Sequence, residues 1–344
     1  MYEKELHDFM AVYPVILHDL TTTAENYNNK AAAIWYKKAL QYNLSLSNAK
    51  NGLLAVLFYK SFLNNNEFTE KGLRLAHTLG WCIELLHCVF LITDDITDNS
   101  TTRRGELCWY KTDGVGVNAI NDAFIIENGI YVLLSKYFRQ LDCYAELLEL
   151  FHQSTFNCFN GQSADMVACR KSVSTFDMET YKALVTNKTS CHFFTLPIAG
   201  ALHLAGITEN QKQIFSECEA IAFELGHLGQ VQNDYLDCFG DPTLTGKIGT
   251  DIEANKCTWL AVKCLELASM DQQAIMVECY GQNDAEKILR VKELYKVLDL
   301  PSIYTQFEKE AIGRIKKLIQ QSSSAVPHDV FSEILTQLSR REIK

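Results

Sequence analysis

GLRLAHTLGWCIELLHCVFLIT, residues 72–93, is apolar on nearly all sides, and it predicts a helix that is surrounded by other helices. Four polar side chains interrupt it, namely Arg74, His77, Glu84 and His87. Because polar and charged groups are costly in lipid, we interpret the segment as a buried core helix and predict no membrane span. The segment leads directly into an acidic cluster that begins at Asp94. Carboxylates at the end of an apolar helix are costly unless a positive group binds them, so this cluster is a candidate functional site.

The composition of the chain predicts an all-α protein. Of its 344 residues 47% are apolar, and only 5 Pro and 17 Gly are present to interrupt helices. No Pro/Gly/Ser-rich linker divides the sequence, so we predict one domain over residues 1–344. Three further segments predict helices: residues 123–141, 143–168 and 178–206.

Charge and cysteine usage limit the function and the compartment. A formal net charge of −10 argues against binding to nucleic acid or anionic lipid, since both require basic surfaces. An anionic ligand must therefore be bound locally. The 12 cysteines form no CxxC pairs, and the N-terminus has no apolar run typical of a signal peptide. We predict reduced thiols and a cytoplasmic protein.

Two acidic clusters are the strongest functional signal. On a helix, Asp94 and Asp98 share one face, as do Asn233, Asp237 and Asp241 at successive spacings of four. Oxygen-rich faces that meet across a helical cavity suit Mg²⁺, which usually shares its coordination shell with substrate phosphates. The sequence therefore predicts a site for a diphosphate.

Basic residues follow both clusters. Arg103 and Arg104 lie in a polar turn after the first cluster, and Lys247 and Lys256 lie in the loop after the second. Arginine is well suited to bind phosphate oxygens. An alternative interpretation, if each acidic cluster is considered alone, is that it forms the solvated end of a helix. We favour a binding site, because unpaired carboxylates at the end of an apolar helix are costly and two arginines follow them.

Two blocks, residues 80–110 and 229–260, closely resemble the trans-isoprenyl diphosphate synthase family, and within it the farnesyl diphosphate synthases. The resemblance extends from about residue 42 to the basic C-terminal tail. It implies an isoprenoid-synthase bundle of antiparallel helices around a deep apolar cavity. It also implies three Mg²⁺ ions, for which Mn²⁺ can substitute, a prenyl diphosphate substrate and a homodimer.

The resemblance also implies roles for individual residues. Asp94 and Asp98 match the first metal motif, and Asn233, Asp237 and Asp241 match the second. The positions that match diphosphate-binding or cavity residues are Arg103, Arg104, Gln162, Asp165, Lys188, Thr189 and Lys247. Lys256 is close enough to Lys247 in the sequence to reach the same anion. Taken alone, Gln162, Lys188 and Lys247 would be interpreted as ordinary helix or surface residues.

Several positions depart from the family pattern. Asn48 and Asn51 replace a lysine and an arginine that hold the diphosphate of isopentenyl diphosphate, and His87 replaces a glutamine in the same pocket. Each lost charge-assisted hydrogen bond is worth ~1.5–3 kcal/mol. Two such losses predict that affinity for this second substrate falls by at least ~100-fold. Asn233 likewise replaces an aspartate in the second metal motif.

We therefore predict a class I terpene synthase, a carbon–oxygen lyase, similar to insect terpene synthases derived from farnesyl diphosphate synthases. It would ionise a prenyl diphosphate such as farnesyl diphosphate and cyclise it to a sesquiterpene. The resemblance implies that Val89 and Phe90 occupy cavity-floor positions, at which animal farnesyl diphosphate synthases have two aromatic residues, and Val89 would deepen or reshape the pocket. Two alternatives stay open: a prenyltransferase that makes geranyl or farnesyl diphosphate, and an inactive paralogue that serves as a regulatory subunit.

Overall fold

The computed structural model describes residues 2–27, 29–45, 49–63, 68–207, 211–245 and 249–340, without the side chains of residues 189–191. The predicted all-α class is confirmed, and the fold is consistent with an isoprenoid-synthase bundle. Within the described ranges the helices are α1 Tyr2–Met10, α2 Tyr13–Glu25, α3 Lys30–Ser45, α4 Lys50–Phe62, α5 Glu70–Thr97, α6 Asn118–Phe138, α7 Tyr144–Ala168, α8 Met178–Val185, α9 Leu196–Leu204, α10 Gln211–Phe239, α11 Pro242–Thr245, α12 Trp259–Leu267, α13 Met270–Cys279, α14 Ala285–Val297, α15 Leu300–Gln321 and α16 His328–Ser339.

Shorter elements join the helices. Strands β1, Thr102–Arg103, and β2, Glu106–Leu107, form an antiparallel hairpin after α5. Trp109–Lys111 and Val173–Thr175 are single 3₁₀ turns. Thr186–Thr195 is a π-helical stretch between α8 and α9, so the helix predicted over residues 178–206 is divided into three parts.

The chain forms two compact units. Unit 1 comprises Met1–Phe156, His192–Glu219 and Ser323–Val330. Unit 2 comprises Asn157–Cys191, Ala220–Ser322 and Phe331–Lys344. One domain over residues 1–344 and a deep apolar cavity stay predictions.

Helix α5 is the central helix of unit 1. It begins at Thr69, whose hydroxyl accepts a hydrogen bond from the Gly72 N–H at 3.0 Å, and it packs against α4, α6 and α9. Of the helices in the described part of the chain, α5 is the one that is long and apolar enough to cross a membrane. Its most apolar window is 89% buried within the protein. That burial supports the prediction of a core helix.

Two glycines allow α4 to approach α5 closely. A Cβ atom on Gly52 would lie 2.3 Å from the Gly80 carbonyl oxygen, and one on Gly80 would lie 2.5 Å from the Gly52 carbonyl oxygen. Since any side chain would separate the helices, glycine is required at both positions. The contact brings the first turn of α4 to α5, where the Gly52 N–H donates to Glu84 Oε1 at 2.7 Å.

Unit 2 contains a separate apolar core. Helix α12 packs against α8, α13, α14 and α15, and the core includes the fully buried side chains of Trp259 and Tyr295. The second half of α7, the start of the π-helical stretch and the second half of α10 also belong to this unit. These three elements carry Gln162, Asp165, Lys188, Asn233 and Asp237, which the sequence analysis singled out.

Candidate functional site

The first acidic cluster lies at the C-terminal end of α5, as predicted. The helix continues past Asp94 and ends at Thr97, with Asp98 as its C-cap. The Asp98 N–H donates to the Asp94 carbonyl oxygen at 2.9 Å, and both side chains are half-buried. The two carboxylates therefore occupy neighbouring turns at the end of one helix.

Arg103 lies on the hairpin that follows and is held against this helix end. Its Nη2 lies 2.5 Å from Asp95 Oδ1 and 3.4 Å from Asp94 Oδ2, and its Nε donates to Asp95 Oδ1 at 3.0 Å. Asp95 is buried, and burial raises the pKa of its carboxyl although the hydrogen bonds from Arg103 oppose this. Asp95 thus fixes the guanidinium beside Asp94, a role that sequence reasoning missed.

Arg104 occupies the turn of the same hairpin. Its φ of +55° is in the left-handed region, and Gly105 follows with a φ of +83°. Burial lowers the pKa of Arg104, and the negative charge of Glu84 partly offsets that effect. Glu84 is itself buried and accepts the Gly52 N–H, so it supplies negative charge close to both Arg104 and the start of α4.

His87 is on α5 and lies in a buried aromatic cluster. Its ring centroid is 5.7 Å from that of His192 and 5.2 Å from that of Phe193. Its Nδ1 has no hydrogen-bond partner among the described residues. Burial, reinforced by the nearby His192 and Arg104, lowers the pKa of His87 well below its usual value. The imidazole is therefore neutral at physiological pH.

Other predicted positions of unit 1 are also buried. Asn51 lies in the first turn of α4, and Val89 and Phe90 lie inside α5 with the Phe90 ring 5.0 Å from that of His192. Asn48 lies outside the described residues. Val89 and Phe90 as cavity-floor residues, and Asn51 as an isopentenyl position, stay predictions.

A buried carboxylate in unit 2 holds two lysines. Asp165 Oδ2 accepts a hydrogen bond from Lys188 Nζ at 2.9 Å and another from Lys256 Nζ at 2.9 Å. Burial alone would raise the pKa of Asp165, but the two ammonium groups outweigh it and the pKa is lowered. Two ammonium charges and one carboxylate leave a net positive charge, which is suited to an anionic ligand.

Close helix packing places Lys188. It belongs to the π-helical stretch, and a Cβ atom on Gly161 of α7 would lie only 2.7 Å from the Lys188 backbone nitrogen. The Cys158 thiol donates to the Lys188 carbonyl oxygen at 3.5 Å. Gln162, which directly follows Gly161 in the sequence, is also buried. The side chain of Thr189 and all of Lys247 lie outside the described residues, so their roles stay predictions.

The second acidic cluster differs from the prediction at its end. Helix α10 ends at Phe239, so Asn233 and Asp237 lie on it but Asp241 does not. The prediction of one helical face for all three residues is wrong, because Gly240 and Pro242 end the helix. The Asp241 carboxylate instead accepts hydrogen bonds from the Thr243 N–H and hydroxyl, both at 2.8 Å.

Asp237 and Asp234 have different surroundings. Asp237 is half-buried and accepts the N–H of Asp251 at 3.0 Å, which ties α10 to the following loop. Asp234 is buried and accepts the Trp259 N–H at 2.8 Å and the Gln230 side-chain amide at 2.8 Å. Burial raises the pKa of Asp234 to about 6. Asp234 therefore has a packing role, whereas the neighbouring Asn233 is exposed.

The donor atoms fit Mg²⁺ that is bound together with a phosphate ligand. In the described part of the chain, no three His, Cys, Asp or Glu side chains are close enough to hold a metal by themselves. Mg²⁺ does not require such a cluster, since it commonly takes one or two carboxylates and completes its shell with phosphate oxygens and water. The half-buried carboxylates Asp94, Asp98 and Asp237 and the exposed amide of Asn233 are donors of this kind.

Comparisons with known proteins agree with this chemistry. Residues 33–298 match the profile of the polyprenyl synthetase family. The chain is 40% identical over 344 residues to the farnesyl pyrophosphate synthase of Gallus gallus, covering 99% of this chain and 93% of that protein. It is 37% identical over 340 residues to the enzyme of that name from Murgantia histrionica (99% and 83%), and 38% identical over 337 residues to farnesyl pyrophosphate synthase 2 of Arabidopsis thaliana (97% and 98%).

These similarities overturn the prediction of a terpene synthase and of a carbon–oxygen lyase. The relatives are named as synthases of farnesyl pyrophosphate, and such an enzyme is a prenyltransferase. The prediction considered the charges lost at Asn48 and Asn51 and gave too little weight to those that remain, among them Lys50 and Arg104. The similarities support the prediction of an isoprenoid enzyme related to farnesyl diphosphate, but they do not support a sesquiterpene product.

Proposed function

Since the chain belongs to the polyprenyl synthetase family, we propose that it is a prenyltransferase that joins an allylic diphosphate to isopentenyl diphosphate. The product would be geranyl or farnesyl diphosphate. The observation that carries the proposal is the similarity along almost the whole chain to farnesyl pyrophosphate synthases of animals and a plant. A cytoplasmic location remains part of the proposal.

In this reaction the C1–O bond of the allylic diphosphate breaks and its electron pair leaves with the diphosphate. The double bond of isopentenyl diphosphate forms a new bond to C1, and a proton is then lost. Arg103, Lys188 and Lys256, with Lys247, would bind the leaving diphosphate. Gln162, Asp165 and Thr189 would support them. Asp95 and Asp165 hold three of these cations in place before any ligand binds.

Prenyltransferases of this family use Mg²⁺. When bound, it neutralises diphosphate charge and makes the diphosphate a better leaving group. Asp94 and Asp98 at the end of α5 would hold it, as would Asn233, Asp237 and Asp241 around the end of α10. We further propose three ions, with Mn²⁺ as a substitute.

For isopentenyl diphosphate, this chain keeps the cation Arg104, and Lys50 lies between the two substituted positions in the sequence. Asn51 can donate hydrogen bonds to a diphosphate but brings no charge, and so can Asn48. His87 is neutral and buried, and its ring nitrogens can still hydrogen-bond. Weaker binding of this substrate than in enzymes with the usual lysine and arginine is therefore expected.

We also propose a homodimer that forms through α6 and α7. Val117, Ile120 and Phe124 form an exposed apolar stripe at the start of α6, and Phe156 is exposed on α7. The two helices are in contact in unit 1, where the Oη of Tyr131 and the Nδ1 of His152 are 3.1 Å apart. Exposed apolar side chains that lie together on one helix face are typical of a protein interface.

The test is product analysis with defined substrates. The full chain would be incubated with Mg²⁺ and either dimethylallyl or geranyl diphosphate, with and without isopentenyl diphosphate, and all products would be identified by chromatography and mass spectrometry. We expect elongation to geranyl or farnesyl diphosphate only when isopentenyl diphosphate is present. Asp94→Ala and Asp98→Ala should abolish it, Asn233→Asp should do far less harm, and Asp113→Ala, at an exposed aspartate, should have no effect.

Two outcomes would reject the proposal. One is the absence of any elongated product from the substrate pair at saturating concentrations. The other is conversion of a single allylic diphosphate at a rate that isopentenyl diphosphate does not change.

A further inference from the structure

A buried carboxylate on α6 joins three elements of unit 1. Asp122 is 1% exposed, and its Oδ1 accepts the indole N–H of Trp35 on α3 at 2.8 Å. Its Oδ2 accepts the indole N–H of Trp109 at 2.9 Å. A buried charge is costly unless it is hydrogen-bonded, so these two donors are what makes the carboxylate tolerable here.

A lysine completes the arrangement around Asp122. The rings of Trp35 and Trp109 are 6.1 Å apart, and Lys38 Nζ lies 5.3 Å from the first and 5.7 Å from the second. The ammonium is attracted by the faces of both rings, while their N–H edges point to the carboxylate. The two tryptophans are therefore held between a positive and a negative charge.

Trp109 begins the 3₁₀ turn that follows the hairpin carrying the two arginines. It follows β2 by one residue, after Cys108, whose N–H donates to the Thr101 carbonyl oxygen at 3.0 Å. The Tyr42 hydroxyl of α3 donates to the Leu107 carbonyl oxygen at 2.7 Å, and its ring lies 5.0 Å from that of Trp109. The end of the hairpin is thus fixed to α3 and α6.

The start of the hairpin is fixed on its other side. Arg103 of β1 donates to the buried Asp95 of α5, while Arg104 occupies a strained turn at a φ of +55°. A non-glycine residue in this left-handed conformation costs free energy, which contacts in the surrounding structure must offset. Asp95 holds the start of the hairpin through its hydrogen bonds with Arg103, and Asp122 holds the end of the hairpin through Trp109.

We propose that Asp122, Trp35 and Trp109 are positioning residues for Arg103 and Arg104. They do not touch the substrate. They fix the hairpin so that both guanidinium groups are already placed when a diphosphate binds, which avoids the cost of ordering them at that moment. This inference rests on the proposed function, because it assumes that the two arginines bind diphosphate.

Three tryptophan-to-phenylalanine substitutions test it. Trp109→Phe and Trp35→Phe each remove one indole donor from Asp122 but keep an aromatic ring. Trp81→Phe is the matched control, because the buried Trp81 of α5 donates its N–H to the Phe9 carbonyl oxygen at 3.1 Å, away from the hairpin. Each full-length variant would be titrated with inorganic pyrophosphate at fixed Mg²⁺ by calorimetry, and kcat and KM would be measured for both substrates.

We expect Trp109→Phe to weaken pyrophosphate binding by about tenfold, and Trp35→Phe to weaken it less, since leaving a buried acceptor unpaired is costly. KM should rise more than kcat falls. Trp81→Phe should lower stability without changing pyrophosphate affinity. Parent-like affinity in Trp109→Phe, or an equal loss in Trp81→Phe, would overturn the inference alone. A parent protein that binds no pyrophosphate would overturn the proposed function and the inference with it.

Discussion

Burial of His87 makes the stability of unit 1 depend on pH. Its pKa in the folded protein lies well below the usual value, because burial, His192 and Arg104 all disfavour the imidazolium. The unfolded chain takes up a proton near pH 6.5 and the folded protein does not. The stability associated with a neutral His87 is therefore complete above about pH 6.5 and is lost progressively as the pH falls toward the folded pKa.

His87→Gln tests this at the residue scale, because glutamine does not titrate. We expect the free energy of unfolding of the parent to fall more between pH 7.5 and pH 5.5 than that of the variant, as measured by urea denaturation. His7→Gln is the control, since the His7 side chain is 84% exposed and its loss should leave the pH dependence of the parent intact. Equal pH dependence in parent and His87→Gln would show that the buried imidazole is not the cause.

At the scale of elements, the contact between α7 and the π-helical stretch decides where Lys188 lies. π-helical segments are uncommon and often occur at functional sites, and this one places Lys188 on the carboxylate of Asp165. Gly161 makes the contact possible, since a Cβ atom there would meet the backbone of Asn187 and Lys188. Backbone atoms cannot move aside at a low cost in free energy, whereas the end of a flexible side chain can.

Gly161→Ala should therefore displace the Lys188 backbone and weaken diphosphate binding, with a rise in KM for the allylic substrate. We expect the variant to be destabilised by about 1–3 kcal/mol through overpacking. Gly313→Ala is the control, because Gly313 lies within α15 and an added Cβ atom meets nothing within 4 Å. That substitution should stabilise the protein by about 0.5–1 kcal/mol. An unchanged KM in Gly161→Ala would contradict the role of the close contact.

At the scale of the whole molecule, an all-α chain of this length leaves apolar side chains at its surface. Most are scattered and need no partner, but Val117, Ile120 and Phe124 form a stripe at the start of α6. Helix α6 thus presents Asp122 to the interior and Phe124 to the exterior. The same helix would contribute both to the proposed dimer and to the support of the arginines.

Phe124→Asp should shift the protein from dimer to monomer, because Phe124 is 61% exposed in the stripe and a charge there cannot be buried without a partner. Sedimentation velocity over a range of concentrations would measure the change. Val297→Asp is the control, since Val297 is 73% exposed at the end of α14 in unit 2. A parent that is monomeric, or a Phe124→Asp variant that remains dimeric, would exclude this surface as the interface.

Local sequence signals were sufficient to predict part of the fold and part of the candidate site. The apolar run over residues 72–93 predicted α5, because a helix that is apolar all round must be buried. The four-residue spacing of Asp94 and Asp98 placed them on neighbouring turns for the same local reason. The end of α10 before Asp241 could also have been predicted, since Gly240 and Pro242 are signals that end a helix.

Tertiary structure alone decided how the cations are held. Asp165 meets lysines that are 23 and 91 residues away, and Asp122 meets tryptophans that are 87 and 13 residues away. A buried carboxylate gains its stability from the donors that packing brings to it, and no local pattern specifies which donors those are. Function showed the same limit, because the charges lost at Asn48 and Asn51 could be counted in the sequence, whereas the support that the packed structure gives to Arg103, Lys188 and Lys256 could not.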